Sequence, residues 1–191
     1  MLPDLSLCNC FKLVATIKID VISYILKSVL SMIAGKLRKG KISIRIRSDG
    51  RWFYNDSLIE RDAMVRLFAK QLMRIDNDYF IQAPEQMLKI EVDDLPFVIV
   101  EVERHDLGAA QQIIAKTNCG DEFIIGEDHC IHLSLPPGQM IEVPKVHVRD
   151  SLYARVSRSC YYQLVEWGEP DESQGILLLQ SSGCNYTLGN L

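Results

Sequence analysis

Two stretches of this chain read as one unit used twice, and an internal repeat limits the possible folds more tightly than any single motif. Arg61-Asp62 opens an amphipathic helix predicted over residues 61–74, with Met64, Val65, Phe68 and Leu72 on one side. Two short strands joined by the turn at Pro84-Glu85 follow it. Arg149-Asp150 opens a matching series, a helix predicted to about residue 167 and then a closing hairpin around Ser181-Ser182-Gly183. Met64, Val65 and Phe68 fall on Leu152, Tyr153 and Val156; Ile81, Leu88 and Ile90 fall on Leu179, Tyr186 and Leu188. The expected architecture is α+β, a duplicated core in which each copy is one helix on a small antiparallel sheet. A ligand would then sit at the seam between the copies.

Before and between these two stretches the pattern is that of strands. Ile42, Ile44 and Ile46 alternate with Ser43, Arg45 and Arg47, and Ser48-Asp49-Gly50 turns the chain into Arg51-Trp52-Phe53-Tyr54. Asp93-Asp94-Leu95-Pro96 breaks the chain, and regularly spaced strand signals from residue 97 to residue 133 predict a meander. The expected division is an apolar and basic helix and linker over 1–40, one repeat over 41–95 and a second over 96–191.

At 191 residues and 48% hydrophobic composition the chain can bury a core. A net charge of −4 argues against wholesale nucleic-acid binding. Charge is uneven, however: Lys36, Arg38, Lys39, Lys41, Arg45, Arg47 and Arg51 cluster against Asp49 alone. Such a run suits nucleic acid or acidic lipid, yet on a strand it is also an ordinary solvated face. Residues 11–37 are strongly apolar, but Lys18, Asp20 and Lys27 interrupt them. A charge at the bilayer centre costs about 2.5–3.5 kcal/mol, which argues against a spanning helix. An amphipathic or docking helix over 17–37 fits better. The six cysteines show neither CxxC nor zinc-finger spacing, so reduced thiols in a cytoplasmic protein are expected.

Several blocks in order carry a resemblance to a known family. They are DGRWFY (49–54), the run from Ile59 through Arg61 to Phe68, APEQ (83–86), DDLPF (93–97), PKVHVRDSLYARVSR (144–158), Tyr161-Tyr162 and SSGCNYTLG (181–189). Over about residues 41–191 the chain resembles the bacterial domain of unknown function 1285 family. The resemblance implies a duplicated core, a C-terminal half superficially like a pleckstrin-homology fold, and a pocket between the halves for a nucleotide-like ligand. It also implies a signalling role, with a signalling protein as a possible partner, and no established enzyme activity. Residues 1–40 depart from it, being apolar and Lys-rich where the family enters its first strand from a polar, Pro- and Trp-containing stretch.

Phosphate-loop, dinucleotide, HExxH, GxSxG and kinase signatures are absent from the sequence. The arginines are the candidates for anion recognition, because a guanidinium grips phosphate with two parallel hydrogen bonds. Arg61 and Arg66 lie on the first predicted helix, and Arg149, Arg155 and Arg158 on the second; an Arg-Asp pair that merely fixes a helix start is the structural alternative. Trp52 and Tyr54 alternate around Phe53 and share a strand face on which a base can stack, Tyr162 is a further aromatic at the seam, and Glu85 a carboxylate aimed from its turn. No metal site and no cofactor beyond the nucleotide-like ligand is expected. The leading expectation is a non-enzymatic ligand-binding or adaptor protein. One rival is a hydrolase or transferase for a phosphorylated small molecule, using Glu85, Asp93 or Asp94. Another is a protein–protein or membrane-surface module built on residues 17–37.

Overall fold

The computed structural model describes residues 38–107, 110–136 and 138–191; the helix expected over 17–37 lies outside them. Strand β1 (Arg38–Ile46) forms as the alternation requires, burying Ile44 and Ile46 while Arg45 and Arg47 face solvent. The chain continues through β2 (Trp52–Tyr54), β3 (Ser57–Leu58), α1 (Asp62–Lys70), β4 (Leu72–Ile75), β5 (Asp78–Gln82) and β6 (Gln86–Val92). These strands make one six-stranded sheet in the order β3-β2-β1-β6-β5-β4, with β1 and β6 parallel at its centre.

Strands β7 (Phe97–Leu107), β8 (Ala110–Thr117), β9 (Glu122–Ile124), β10 (Ile131–Ser134), β11 (Val143–Arg149) and β12 (Leu152–Val156) make the second sheet. Its order is β10-β11-β12-β7-β8-β9, again with the first and last strands parallel at the centre. Helix α2 (Arg158–Glu166) follows, and β13 (Glu169–Asp171), β14 (Ile176–Ser181) and β15 (Cys184–Asn190) form a three-stranded antiparallel sheet. That small sheet plugs one flank of the second. The Ser181 hydroxyl, fully buried, accepts from the Ile113 N–H at 3.0 Å and donates to the Ile125 carbonyl at 2.7 Å. The N–H of Ser182 reaches the Gln111 carbonyl at 2.8 Å.

One hydrophobic core runs through all three sheets, from Ile44, Ile46 and Trp52 to Phe97, Ile99, Ile113 and Leu188. The molecule is mostly β, and this overturns the α+β expectation of a duplicated helix-plus-sheet core. The strand order of the two large sheets recurs, but the helices are not equivalent. Helix α1 lies inside the first sheet's sequence and α2 after the second's.

Residues 150–156, expected to begin the second helix, form a turn and β12. Asp150 takes a left-handed φ of 47°, and Leu152, Ala154 and Val156 are buried at a spacing of two. The helix begins instead after Ser157, whose hydroxyl accepts from the Cys160 N–H. Helix α1 ends at Lys70, and Leu72 turns into the edge strand β4 rather than extending the helix to residue 74. The pleckstrin-homology likeness of the C-terminal half is overturned too. Its large sheet closes on a parallel β7–β12 pair, and three further strands follow the helix.

Candidate functional site

Helix α1 leans over the outer corner of the first sheet and leaves a concave gap there of about 450 Å³. Ile42 and Ile44 of β1 form its floor, Tyr54 and Leu58 one wall, and Met64 and Phe68 of α1 the other. Ser57, Glu60 and Arg61 are its polar groups, all three within five residues of chain. Phe68 is set by stacking on Trp52 at 6.4 Å, and Trp52 is itself buried in the core. Tyr54, Leu58 and Met64 remain roughly half exposed, with Leu67 beside them, so apolar surface that would ordinarily be covered faces solvent. Volume and apolar walls fall within the range of small-molecule sites.

At the mouth, Arg61 occupies the N-cap of α1 without a side-chain capping bond. Its carbonyl accepts from the N–H groups of Met64 and Val65. Among the described residues no carboxylate lies within ion-pair distance of its guanidinium.

Around the seam between the two large sheets Arg45, Arg149 and Arg155 are each paired with an aspartate. Arg155 grips Asp94 with two parallel bonds of 2.9 Å, and Arg45 binds Asp93 at 2.8 Å, which with the Asp93 charge holds the Arg45 guanidinium above its ordinary value. Arg149 pairs with Asp121 at 3.0 Å and lies 5.1 Å from the Phe97 ring centre. Asn118 donates to the Gly50 carbonyl at 2.8 Å while accepting from the Val98 N–H. Cys119 lies just beneath; burial and the Asp121 charge push its thiol up to about 12, outweighing the opposing pull of Trp52, Arg149 and Arg66.

The expected site residues therefore scatter. Of the charged residues in the set, only Arg61 lines the groove. Arg66 lies exposed with its guanidinium close over Gly120, near Arg149 at the seam. Arg149 and Arg155 are at the seam as ion-paired, half-buried side chains. Arg158, at the start of α2, and Tyr162, along it, are both exposed. Trp52 is 1% exposed, so a ligand has no ring face to stack on. Glu85 stands exposed in the β5–β6 turn, while Asp93 and Asp94 are each taken by a different arginine. Tyr54, expected beside Trp52 as part of a stacking face, does line the groove, but Ile42, Leu58, Met64 and Phe68 were missed. The available signal was Leu58-Ile59 following the Asn55-Asp56 turn, apolar residues with no strand long enough to bury them.

No group of three or more metal-ligating side chains occurs among the described residues, and no described helix is long and apolar enough to cross a membrane.

Comparison with family models matches residues 37–95 to the N-terminal domain, and residues 96–188 to the C-terminal domain, of proteins of unknown function DUF1285. A solved structure of a DUF1285 family protein from Silicibacter pomeroyi DSS-3 is 36% identical, with a TM-score of 0.74; the match covers 81% of this chain and 84% of that one. Another, from Shewanella baltica OS155, is 24% identical with a TM-score of 0.52, covers 65% of this chain and 91% of that one, and shares the fold alone. No curated protein matches the chain.

Proposed function

The chain belongs to the DUF1285 family, and from that premise we propose that it is a non-enzymatic ligand-binding protein whose groove under α1 holds a nucleotide-like amphiphile. The single observation that carries the reading is the 450 Å³ apolar groove with its polar groups at one end. A flat or apolar body suits the space between Tyr54, Met64 and Phe68, and an anionic group suits Arg61 at the mouth. This moves the ligand from the seam, where the arginines are already paired, to the corner of the first sheet. The free thiols of Cys119, Cys130, Cys160 and Cys184 support a reducing, cytoplasmic setting.

The same reading supports an adaptor or sensing role in signalling. Met64 and Phe68 of the groove lie on the helix whose Ala69 carbonyl is held by Arg149 of the second sheet. A ligand that moves α1 therefore pulls on the seam.

Isothermal titration of the full chain with a panel of nucleotides and single-chain amphiphiles tests the proposal. Arg61→Ala should weaken binding of the anionic ligand by about tenfold, the loss of one charge-assisted hydrogen bond. Met64→Glu, which places a carboxylate on the apolar wall, should abolish it. Silence across both panels removes the reading.

A further inference from the structure

A second cluster of chemically active side chains lies where β10 and β11 of the second sheet meet the third sheet, away from the groove. Cys130 precedes β10 and His132 lies on it, two residues on and so on the same face; Cys130 Sγ is 3.1 Å from His132 Nε2. Lys145 stands opposite His132 across the β10–β11 ladder. Its ammonium is 4.6 Å from the Tyr153 ring, which also meets the ring of His132 at 6.0 Å and that of His147 at 5.3 Å. From β15, Cys184 lies beside the Tyr186 side chain, whose buried hydroxyl has no hydrogen-bond partner among the described residues, and Cys130 and Glu127 lie within electrostatic reach of that tyrosine.

Cys130 differs from its neighbours. Cys119 and Cys160 are buried in the core, whereas Cys130 is half-buried beside an exposed imidazole. The attacking species in thiol chemistry is the thiolate, and a base within hydrogen-bond reach supplies it at neutral pH. His132 has that geometry, its Nε2 accepting the thiol proton.

We propose that Cys130 is a thiol–disulfide exchange site with His132 as its base, and that its reaction partner is a small anionic disulfide. As Nε2 takes the proton, Sγ attacks one sulfur of the incoming disulfide. That S–S bond breaks, a new one forms to Cys130, and the proton leaves with the released thiol. One disulfide is exchanged for another, so the incoming molecule is the sole oxidant. The anionic preference follows from Lys145, set across the ladder from His132. Cys184, likewise half-buried but set beside Tyr186 rather than against an imidazole, is the internal control.

The experiment follows exchange of the full-length protein with glutathione disulfide and with cationic cystamine. Peptide mass mapping assigns a rate to every cysteine, Cys8 and Cys10 included. Cys130 should react faster than Cys184, and faster with the anionic disulfide than with cystamine. His132→Gln should slow Cys130 by about tenfold or more, the lower range for a positioned base, and leave Cys184 unchanged. Cys130→Ser should remove the adduct and keep the circular dichroism spectrum. Equal rates at Cys130 and Cys184, or a Cys130 rate indifferent to His132→Gln, would overturn the site. Faster reaction with cystamine would overturn the anionic partner.

Discussion

Arg149 Nη2 donates to the backbone carbonyl of Ala69 at 2.6 Å, so a strand of the second sheet caps the last turn of α1. The Ala69 carbonyl also accepts from a backbone N–H of the C-cap, and a cation there meets the negative end of the helix dipole. The same guanidinium holds Asp121 at 3.0 Å, and one side chain joins helix, sheet and turn. Arg149→Met should cost about 2 kcal/mol or more in urea unfolding, because Asp121 and the Ala69 carbonyl both lose a half-buried donor. Arg149→Lys should recover only part of it, since one ammonium lacks the fork that spans both acceptors. An undiminished midpoint for either variant would remove Arg149 as a structural clamp.

Gly50 should be irreplaceable by alanine. Its φ is +80°, and a Cβ there would stand 2.6 Å from Asn118 Nδ2 and 2.9 Å from Val98 Cγ2. The Asn118 amide cannot retreat cheaply, because it donates to the Gly50 carbonyl and accepts from the Val98 N–H. Gly50→Ala should lose about 2 kcal/mol or more of unfolding free energy, combining left-handed strain with the clash. Thermal denaturation of the variant at matched concentration measures it.

How far the sequence could be read follows from where each signal resides. Ile42, Ile44 and Ile46 announced a half-buried strand because period-two burial is written locally. The stretch from Asp150 to Val156 carries the same signal in Leu152, Ala154 and Val156, but the apparent match to the helix after Arg61 masked it. The parallel pairings of β1 with β6 and β7 with β12 join residues far apart in the chain, which no local pattern encodes. The sequence offers Arg149 and Arg155 as candidates for anion recognition, but whether a guanidinium meets a ligand or an aspartate depends on what the fold brings to it. Asp121 and Asp94 were those partners. The groove escaped for a related reason. Leu58 and Met64 look like core residues until the helix axis is seen to leave them half outside.

Alkaline pH should single out Cys119. Burial, chiefly, raises its thiol from an ordinary 9.0 to about 12. Over that window the unfolded chain releases a proton that the folded chain retains, so the unfolded state binds fewer protons and stability falls as pH rises. The contribution is fully present below pH 9.0 and is lost toward 12, with a limiting slope of about 1.4 kcal/mol per pH unit. Tyr186 is also held above the usual tyrosine range, mainly by burial, and adds loss of the same sign in any variant that retains it. Cys119→Ala should therefore show a shallower decline between pH 9 and 12 than the parent, whatever its stability at neutral pH. Parallel curves would mean the thiol does not titrate on unfolding.

Asp93 and Asp94 provide the sharpest separation of structure from chemistry, because two adjacent carboxylates meet two arginines in different surroundings. The Asp94 and Arg155 side chains are each 14% exposed and joined by two bonds, whereas Arg45, the partner of Asp93, is 51% exposed. Removing one member of a buried pair strands the other charge. Asp94→Ala should accordingly cost about 3 kcal/mol or more. Asp93→Ala should change stability far less, since water replaces much of what Arg45 loses. Replacing Asp94 and Arg155 together with Leu and Met should recover most of the loss, because the well-packed apolar pair leaves no stranded charge. If these aspartates instead served a phosphorylated substrate, the single variants would unfold like the parent and differ only in binding. A double-mutant cycle in urea, run beside the nucleotide titration, decides between the two.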